Sequence, residues 1–218
     1  AAGLLHEVNN PVNFCLMAVE VALEEPVAKT ETSLQECLID AKQGLQRIQH
    51  IVSDLKTFAY RKPGAEEEGT PFLFEKALDS SQRLTAHELR GVRMTRDMPD
   101  DTLVLGDVAA ILGVLINLFS NAALAMRKAG TQSPAIHTTV RWEDKRLRVT
   151  VRDNGPGIAQ EHLARVFEPF FTTREVGQGL GLGLSISYAV IERHGGVLYA
   201  ESDVGQWAAF SFDLPRAE

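Results

Sequence analysis

Cysteine is scarce, at two in 218 residues. Cys15 and Cys37 stand inside helical patterns with no metal-ligand partner at short spacing, which argues against a disulfide framework and predicts buried apolar thiols of a reducing compartment. A basic surplus is also missing: Lys and Arg number 22 against 29 Asp and Glu, a formal charge of −7. Residues 1–62 hold six cations and eight anions, −2, which leaves −5 for the rest. Neither part has the positive surface that binding a nucleic-acid backbone requires, so no nucleic-acid partner is expected. A long unbroken apolar run is lacking too. Val108 to Met126 comes nearest, but Asn117, Ser120 and Asn121 interrupt it on a helical face and Gly113 weakens it, so it predicts a buried helix rather than a membrane span. There is no signal-peptide pattern, internal repeat or low-complexity tract, and a cytoplasmic location is expected. The first motif lies so near the start that further sequence is expected upstream, and any membrane attachment belongs there.

What is present, 44% hydrophobic and 23% charged residues, is ordinary globular material for one or two domains. Leu5, Val8, Val12, Cys15, Val19 and Ala22 recur three and four apart, a helical seam of coiled-coil type. Pro26 should close that helix, with Pro11 bending it, and Thr30 to Ser33 offer N-caps for the next. A second seam follows at Leu34, Leu38, Ala41, Leu45, Ile48, Val52, Leu55 and Ala59. Two such helices make an antiparallel hairpin that cannot cover its own seam, which predicts a homodimeric four-helix bundle through residues 1–62, with packing of the seam on a neighbouring domain as the alternative. Lys62 to Thr70, with Pro63, Gly64 and the acidic run Glu66 to Glu68, reads as a linker. The second domain is placed at 63–218.

In that second domain the pattern predicts a helix at about 72–89, short strands near 92–98 and 102–105, and a long helix from Asp107. A hairpin of strands follows near 135–142 and 146–152, with Ile136, Thr138, Val140 and Leu147, Val149, Val151 on one covered face. After a loop and short helix come a glycine-rich stretch, a helix at about 182–194 and strands near 197–201 and 208–214. The expected class is α+β: a helical hairpin, then an α/β sandwich with helices on one face of a mixed sheet.

Polar and glycine clusters interrupt the core patterns at five places. His6, in His6-Glu7-Val8-Asn9-Asn10-Pro11, lies off the first seam and is either a plain surface residue or a neutral imidazole that acts as a nucleophile; Glu7 can hold the ring or take its proton, and Asn10 shares its face one turn on. Asn117 and Asn121 share a face of the long helix. Their amide oxygens suit Mg²⁺ when phosphates supply the charge, and local hydrogen bonding at the helix surface explains them equally well. Asp153-Asn154-Gly155-Pro156-Gly157 follows a strand. It is either a plain turn or a buried carboxylate for an exocyclic amine, with glycines that admit a base. Phe167-Glu168-Pro169-Phe170-Phe171-Thr172-Thr173-Arg174 is either core or a Phe-anchored lid whose Arg174 reaches a phosphate. Gly177 to Gly183 leads into a helix with Ser185 near its start, where glycines and free amides suit phosphate oxygens. It has no Gly-Lys-Ser or Gly-Lys-Thr, so it is not a P-loop, and no strand leads into it as a dinucleotide fingerprint requires.

Taken in order, these clusters resemble the H, N, G1, F and G2 boxes of sensor histidine kinases, over nearly the whole chain. Arg47-Ile48 to Phe58-Ala59-Tyr60 is similar to the second dimerisation helix of their nitrogen-sensor-like branch. The resemblance implies a dimerisation and phosphotransfer hairpin followed by a Bergerat-type ATP-binding domain. It implies His6 as phosphoacceptor, Glu7 as its acid/base partner and Asn10 as the residue that positions water for dephosphorylation of a response regulator. Asn121 would hold Mg²⁺ with Asn117 nearby, Asp153 would read adenine, and Gly155, Gly157, Phe170, Arg174, Gly179, Gly181 and Gly183 would shape the ATP pocket and lid. The partner implied is the receiver domain of a response regulator.

One departure stands near the C-terminus. Where such kinases show Gly-x-Gly-Thr-x-Phe, Gly205-Gln206-Trp207-Ala208-Ala209-Phe210 puts Trp207 at the second glycine and Ala208 at the threonine, a change worth about 1 kcal/mol of nucleotide binding. The expected activity is therefore an ATP-dependent protein-histidine kinase that also dephosphorylates its regulator. The alternatives are a phosphatase-dominated protein and a non-catalytic nucleotide-sensing scaffold.

Overall fold

The computed structural model describes residues 2–42, 44–45, 69–173 and 180–217, with side chains described from Pro11 onward. They belong to two compact units, a helical N-terminal one and a mixed C-terminal one. The linker at 62–68, with its acidic run, and the seam positions from Ile48 to Ala59 lie outside the described residues.

The N-terminal unit opens with α1 (Ala2–Glu24), which carries Pro11 within it. Pro26 ends α1 through the residue before it: a proline bars its predecessor from the α region, and Glu25 is extended at φ −63°, ψ 139°. The fixed φ of Pro26 then starts α2 (Pro26–Thr30). Thr30 is not the N-cap that the sequence offers for the next helix. Its hydroxyl turns back to the carbonyls of Pro26 and Val27, and Glu31 is the extended break before α3, helical at 32–42 and 44–45. Lys42 of α3 pairs with Glu20 of α1 at 2.9 Å, as an antiparallel hairpin requires.

Within this single chain Val12 is buried and Val19, Ala22, Leu38 and Leu45 are half-buried. Cys15 and Cys37 are exposed, contrary to the expectation of buried thiols, because they sit on helix faces that one hairpin leaves open. Phe14, Met17 and Val21 form an outer apolar stripe, 72%, 62% and 63% exposed.

The C-terminal unit begins with a strand that the sequence hides, β1 (Thr70–Leu73), paired antiparallel with β3 (Leu103–Gly106). Pro71 and the lack of alternation mask it, since proline is tolerated only on such an edge. It shortens the following helix to α4 (Phe74–Leu84). The main sheet runs β2 (Arg93–Asp97), β4 (Ala135–Glu143), β5 (Arg146–Asp153), β7 (Trp207–Pro215), β6 (Tyr199–Asp203); β2 and β4 are parallel and the other pairs antiparallel.

Over one face of this sheet lie α4, α5 (Val108–Ala129) and α7 (Gly183–Arg193), and the short α6 (Gln160–Leu163) closes the loop after β5. The core is the set of side chains between the layers. Ile136, Thr138, Val140, Leu147, Val149, Val151, Phe210, Phe212 and Leu214 point up from the strands, and all are buried. They meet Phe74 and Leu78 of α4, Ile111, Leu115, Leu118, Phe119 and Met126 of α5, and Ile191 of α7. Each large apolar side chain so covered contributes about 1.5–3 kcal/mol.

The most apolar helix, α5, is thus the centre of the sandwich. Asp107 caps it, its Oδ1 accepting the amides of Ala109 and Ala110 at 2.9 and 3.1 Å, and Gly130 ends it at φ 62° after Arg127 and Lys128. His194 ties its start to the end of α7: Nε2 accepts the Asp107 amide at 2.9 Å while Nδ1 donates to the Val190 carbonyl at 2.7 Å.

Candidate nucleotide site

Asp153 ends the central strand β5 on its helix-facing side, where alternation demands an apolar residue; it is 6% exposed. Burial pushes its carboxyl above the usual range, while the amides of Gly155 and Ala208 hold it back by hydrogen bonding to it. The Gly155 amide meets Oδ1 at 2.8 Å. A Cβ on Gly155 would stand 2.7 Å from that same oxygen and 3.1 Å from Met126 Cγ, so the turn can wrap the carboxylate only as glycine.

Asn154 serves the turn itself. Its Oδ1 accepts the Ala135 amide at 2.7 Å and its Nδ2 donates to the Ser133 carbonyl at 3.1 Å, pinning the loop to the start of β4. On the far side the loop is moored to the β6–β7 turn. Ser202 accepts the Ile158 amide and donates to the Trp207 carbonyl, both at 2.7 Å, and Gly157, at φ 69°, lies against the Asp203 carbonyl. Ser202 carries no sequence signal, because its role depends on a hairpin that returns 44 residues later.

The asparagines of α5 are joined to each other and to α7. Asn121 Nδ2 donates to Asn117 Oδ1 at 3.1 Å, and Asn117 Nδ2 donates to Ser187 Oγ at 3.0 Å. Gly183, the first residue of α7, abuts Asn117 so closely that a Cβ there would collide with its Oδ1. Ser185, the hydroxyl that the sequence singles out, instead donates to the Leu182 carbonyl at 2.9 Å. Sequence reasoning missed Ser187, although its spacing of four from Gly183 puts both on one helix face.

The phenylalanine run divides. Phe167 packs into the core with its ring 5.6 Å from Tyr188 and 6.3 Å from Phe210. Phe171 lies against His162 and under the Arg165 guanidinium at 4.7 Å. Phe170 between them is 59% exposed at φ 67°, and its amide donates to the Gly181 carbonyl at 3.1 Å. Gly181, at φ 69°, has the Phe171 carbonyl where a Cβ would be. The turn at Phe170 and Gly181 are therefore interlocked.

Arg174 and Gly179 lie outside the described residues, as do the side chains of His6, Glu7 and Asn10; the backbone of those last three is on α1. At the altered C-terminal run, Trp207 packs under the Arg152 guanidinium at 4.1 Å. Ala208 is buried opposite Asp153.

A mixed sheet covered by helices on one face, a buried strand-end aspartate, an asparagine pair on the central helix and a glycine-shaped start to the next define a Bergerat-type nucleotide-binding sandwich. Residues 106–218 match the family described as histidine kinase-, DNA gyrase B-, and HSP90-like ATPase, and residues 1–64 match the His Kinase A (phospho-acceptor) domain. The chain belongs to these families, and together they make it the catalytic core of a sensor histidine kinase.

It is 33% identical over 228 residues to the sensor protein FixL of Bradyrhizobium diazoefficiens, covering 100% of this chain and 43% of that protein. It is 31% identical over 222 residues to sporulation kinase A of Bacillus subtilis, covering 99% of this chain and 34% of that one. Among solved structures, full-length ShkA in complex with AMPPNP superposes with a TM-score of 0.82 at 25% identity, over 99% of this chain and 45% of that one. The histidine kinase ThkA in complex with the response regulator TrrA gives 0.66 at 26% identity, over 99% and 60%. The chain thus spans less than half the length of these curated relatives. The relatives do not single out the nitrogen-sensor-like branch.

Proposed function

We propose that the protein is an ATP-dependent, autophosphorylating protein-histidine kinase that passes phosphate to an aspartate of a response regulator and also dephosphorylates that regulator. The observation that carries this reading is the fixed asparagine pair of α5 in the same unit as a buried strand-end aspartate. Asp153, its carboxyl held by the Gly155 and Ala208 amides, accepts the exocyclic amine of adenine; Gly155 and Gly157 let the base reach the backbone. The first amides of α7 face phosphate oxygens, aided by the helix dipole. Arg174 and Gly179 complete the lid with Phe170, Gly181 and Gly183.

Mg²⁺ fits the donors present. Among the described residues no cluster of three His, Cys, Asp or Glu could hold a metal. An ion here would depend on the carboxamide oxygen of Asn121, beside Asn117, and on the nucleotide's phosphates, a set of hard oxygens that suits Mg²⁺. When bound it offsets the negative charge of the phosphates.

His6 attacks the γ-phosphorus in line. The N–P bond forms as the bond to the β,γ-bridging oxygen breaks, ADP leaves with that electron pair, and Glu7 takes the imidazole proton. The phosphoramidate is then attacked by a carboxylate of the receiver domain, which restores the imidazole. Asn10 positions water for hydrolysis of the resulting aspartyl phosphate. The His Kinase A match and the exposed stripe of Phe14, Met17 and Val21 support a homodimer through the hairpin.

The test is incubation with γ-labelled ATP and Mg²⁺. The parent is expected to take up acid-labile, base-stable label, and His6→Gln none. Absence of label in a parent that still binds ATP would overturn the kinase reading. Asn10→Ala is expected to keep autophosphorylation and lose regulator dephosphorylation.

A further inference from the structure

Asn117 is gripped by α7 from two sides. Gly183 lies against its Oδ1, and Ser187, one turn further along the same face of α7, accepts its Nδ2 at 3.0 Å. An amide side chain has two ends that differ only in donating or accepting; a serine hydroxyl can serve either, and here Ser187 accepts from the Nδ2 end. Ser187 takes the donor end, so Oδ1 is the end turned to Asn121, whose own Nδ2 it accepts at 3.1 Å. By fixing Asn121 Nδ2 in that bond, the chain of contacts also fixes the direction of Asn121 Oδ1. Ser187 is 2% exposed, so no water competes for the Asn117 amide from that side.

We infer that Ser187 is a positioning residue for Mg²⁺·ATP, acting through Asn117 to aim the carboxamide oxygen of Asn121. This rests on the Mg²⁺·ATP reading proposed above. Alanine at 187 removes the acceptor, and the Asn117 amide is then held only by the bond it accepts from Asn121. A flipped Asn117 would set its NH₂ against the NH₂ of Asn121 and turn that side chain over. The consequence is confined to whatever needs the Asn121 oxygen, which is the metal-loaded nucleotide and not the base.

The experiment is equilibrium titration with a fluorescent ATP analogue, with Mg²⁺ and with EDTA, on the parent, Ser187→Ala, Asn117→Ala and the double variant. The expected result for Ser187→Ala is about a fivefold or greater loss of affinity with Mg²⁺ and less than about a twofold change in EDTA, on the scale of one lost hydrogen bond to a positioned group. In the Asn117→Ala background the same change is expected to have no further effect, since contacts acting in series do not add. Equal losses with Mg²⁺ and EDTA, no loss at all, or full additivity in the double variant would each overturn the inference. A parent whose binding is indifferent to Mg²⁺ would overturn the Mg²⁺·ATP reading itself, and a Mg²⁺-dependent parent with an unaffected Ser187→Ala would sink only the role of Ser187.

Discussion

Ala208 on β7 lies directly across the ladder from Asp153 on β5, and its amide is one of the backbone donors to the Asp153 carboxyl. The aspartate is therefore held by main chain, from its own turn and from the neighbouring strand, and its placement does not depend on the side chain at 208. What alanine forgoes is a hydroxyl beside the carboxylate.

Ala208→Thr is expected to restore that hydroxyl and tighten ATP binding about fivefold, the worth of roughly 1 kcal/mol for one hydrogen bond. Titration of parent and variant with nucleotide checks this. Unchanged or weaker binding would mean that the base is held fully without it.

Asp153 also sets a pH dependence. Burial raises its pKa above the ordinary aspartate value of 3.8, so the native state holds its proton over a pH range in which the unfolded chain has lost it. Stability from this group is then complete below pH 3.8 and falls as pH rises through the raised value. Asp153→Asn removes this titration. The stability of the variant relative to the parent is expected to grow from pH 3.5 to pH 7 in urea unfolding, while nucleotide binding drops about tenfold or more as the amine's carboxylate partner is lost. A difference that does not change with pH would refute the burial argument.

The covered faces of β4 and β5 and the long α5 were legible because strict alternation and a capped apolar run leave few other solutions. Ile136, Thr138, Val140, Leu147, Val149 and Val151 all face the core as their spacing requires. Asp153 stood out only through the Asn-Gly-Pro-Gly cluster that follows it at a strand end; that it continues the inward face of β5 is seen in the fold. β1 was not legible, since Pro71 hides a strand that exists only through pairing with β3. Nor were the links that fix the site. The bond from Asn117 to Ser187 spans 70 residues and that from Ile158 to Ser202 spans 44, and neither leaves a local pattern. Cys15 was misjudged because heptad spacing marks a face as apolar without saying which molecule covers it, and Cys37 because it lies in a helical pattern but off its seam.

Gly181 answers to two constraints at once, a φ of 69° and the Phe171 carbonyl in the place of a Cβ. Gly91 answers to one, a φ of 83° with open space around it. Gly91→Ala is expected to cost about 1 kcal/mol in urea unfolding, the backbone penalty alone. Gly181→Ala is expected to cost more and to weaken nucleotide binding as well, because the turn at Phe170 must move. Equal costs would show that the close approach to Phe171 contributes nothing.

His194 offers a last test, of what holds α5 to α7. Its ring accepts the Asp107 amide and donates to the Val190 carbonyl, so one side chain satisfies the first turn of one helix and the last turn of the other. Alanine leaves both backbone groups without that partner, at a cost of about 2 kcal/mol. Glutamine, with an acceptor oxygen and a donor nitrogen on one amide, is expected to recover part of it. The Asp107 amide reports the effect locally. Its hydrogen exchange is expected to be slow in the parent, much faster in His194→Ala and intermediate in His194→Gln. Because the N-cap of α5 rests on this amide and Asn117 and Asn121 follow on the same helix, the order of exchange rates is expected to be the reverse of the order of Mg²⁺·ATP affinities. Fast exchange with undiminished affinity would show that the start of α5 can loosen without disturbing the asparagines.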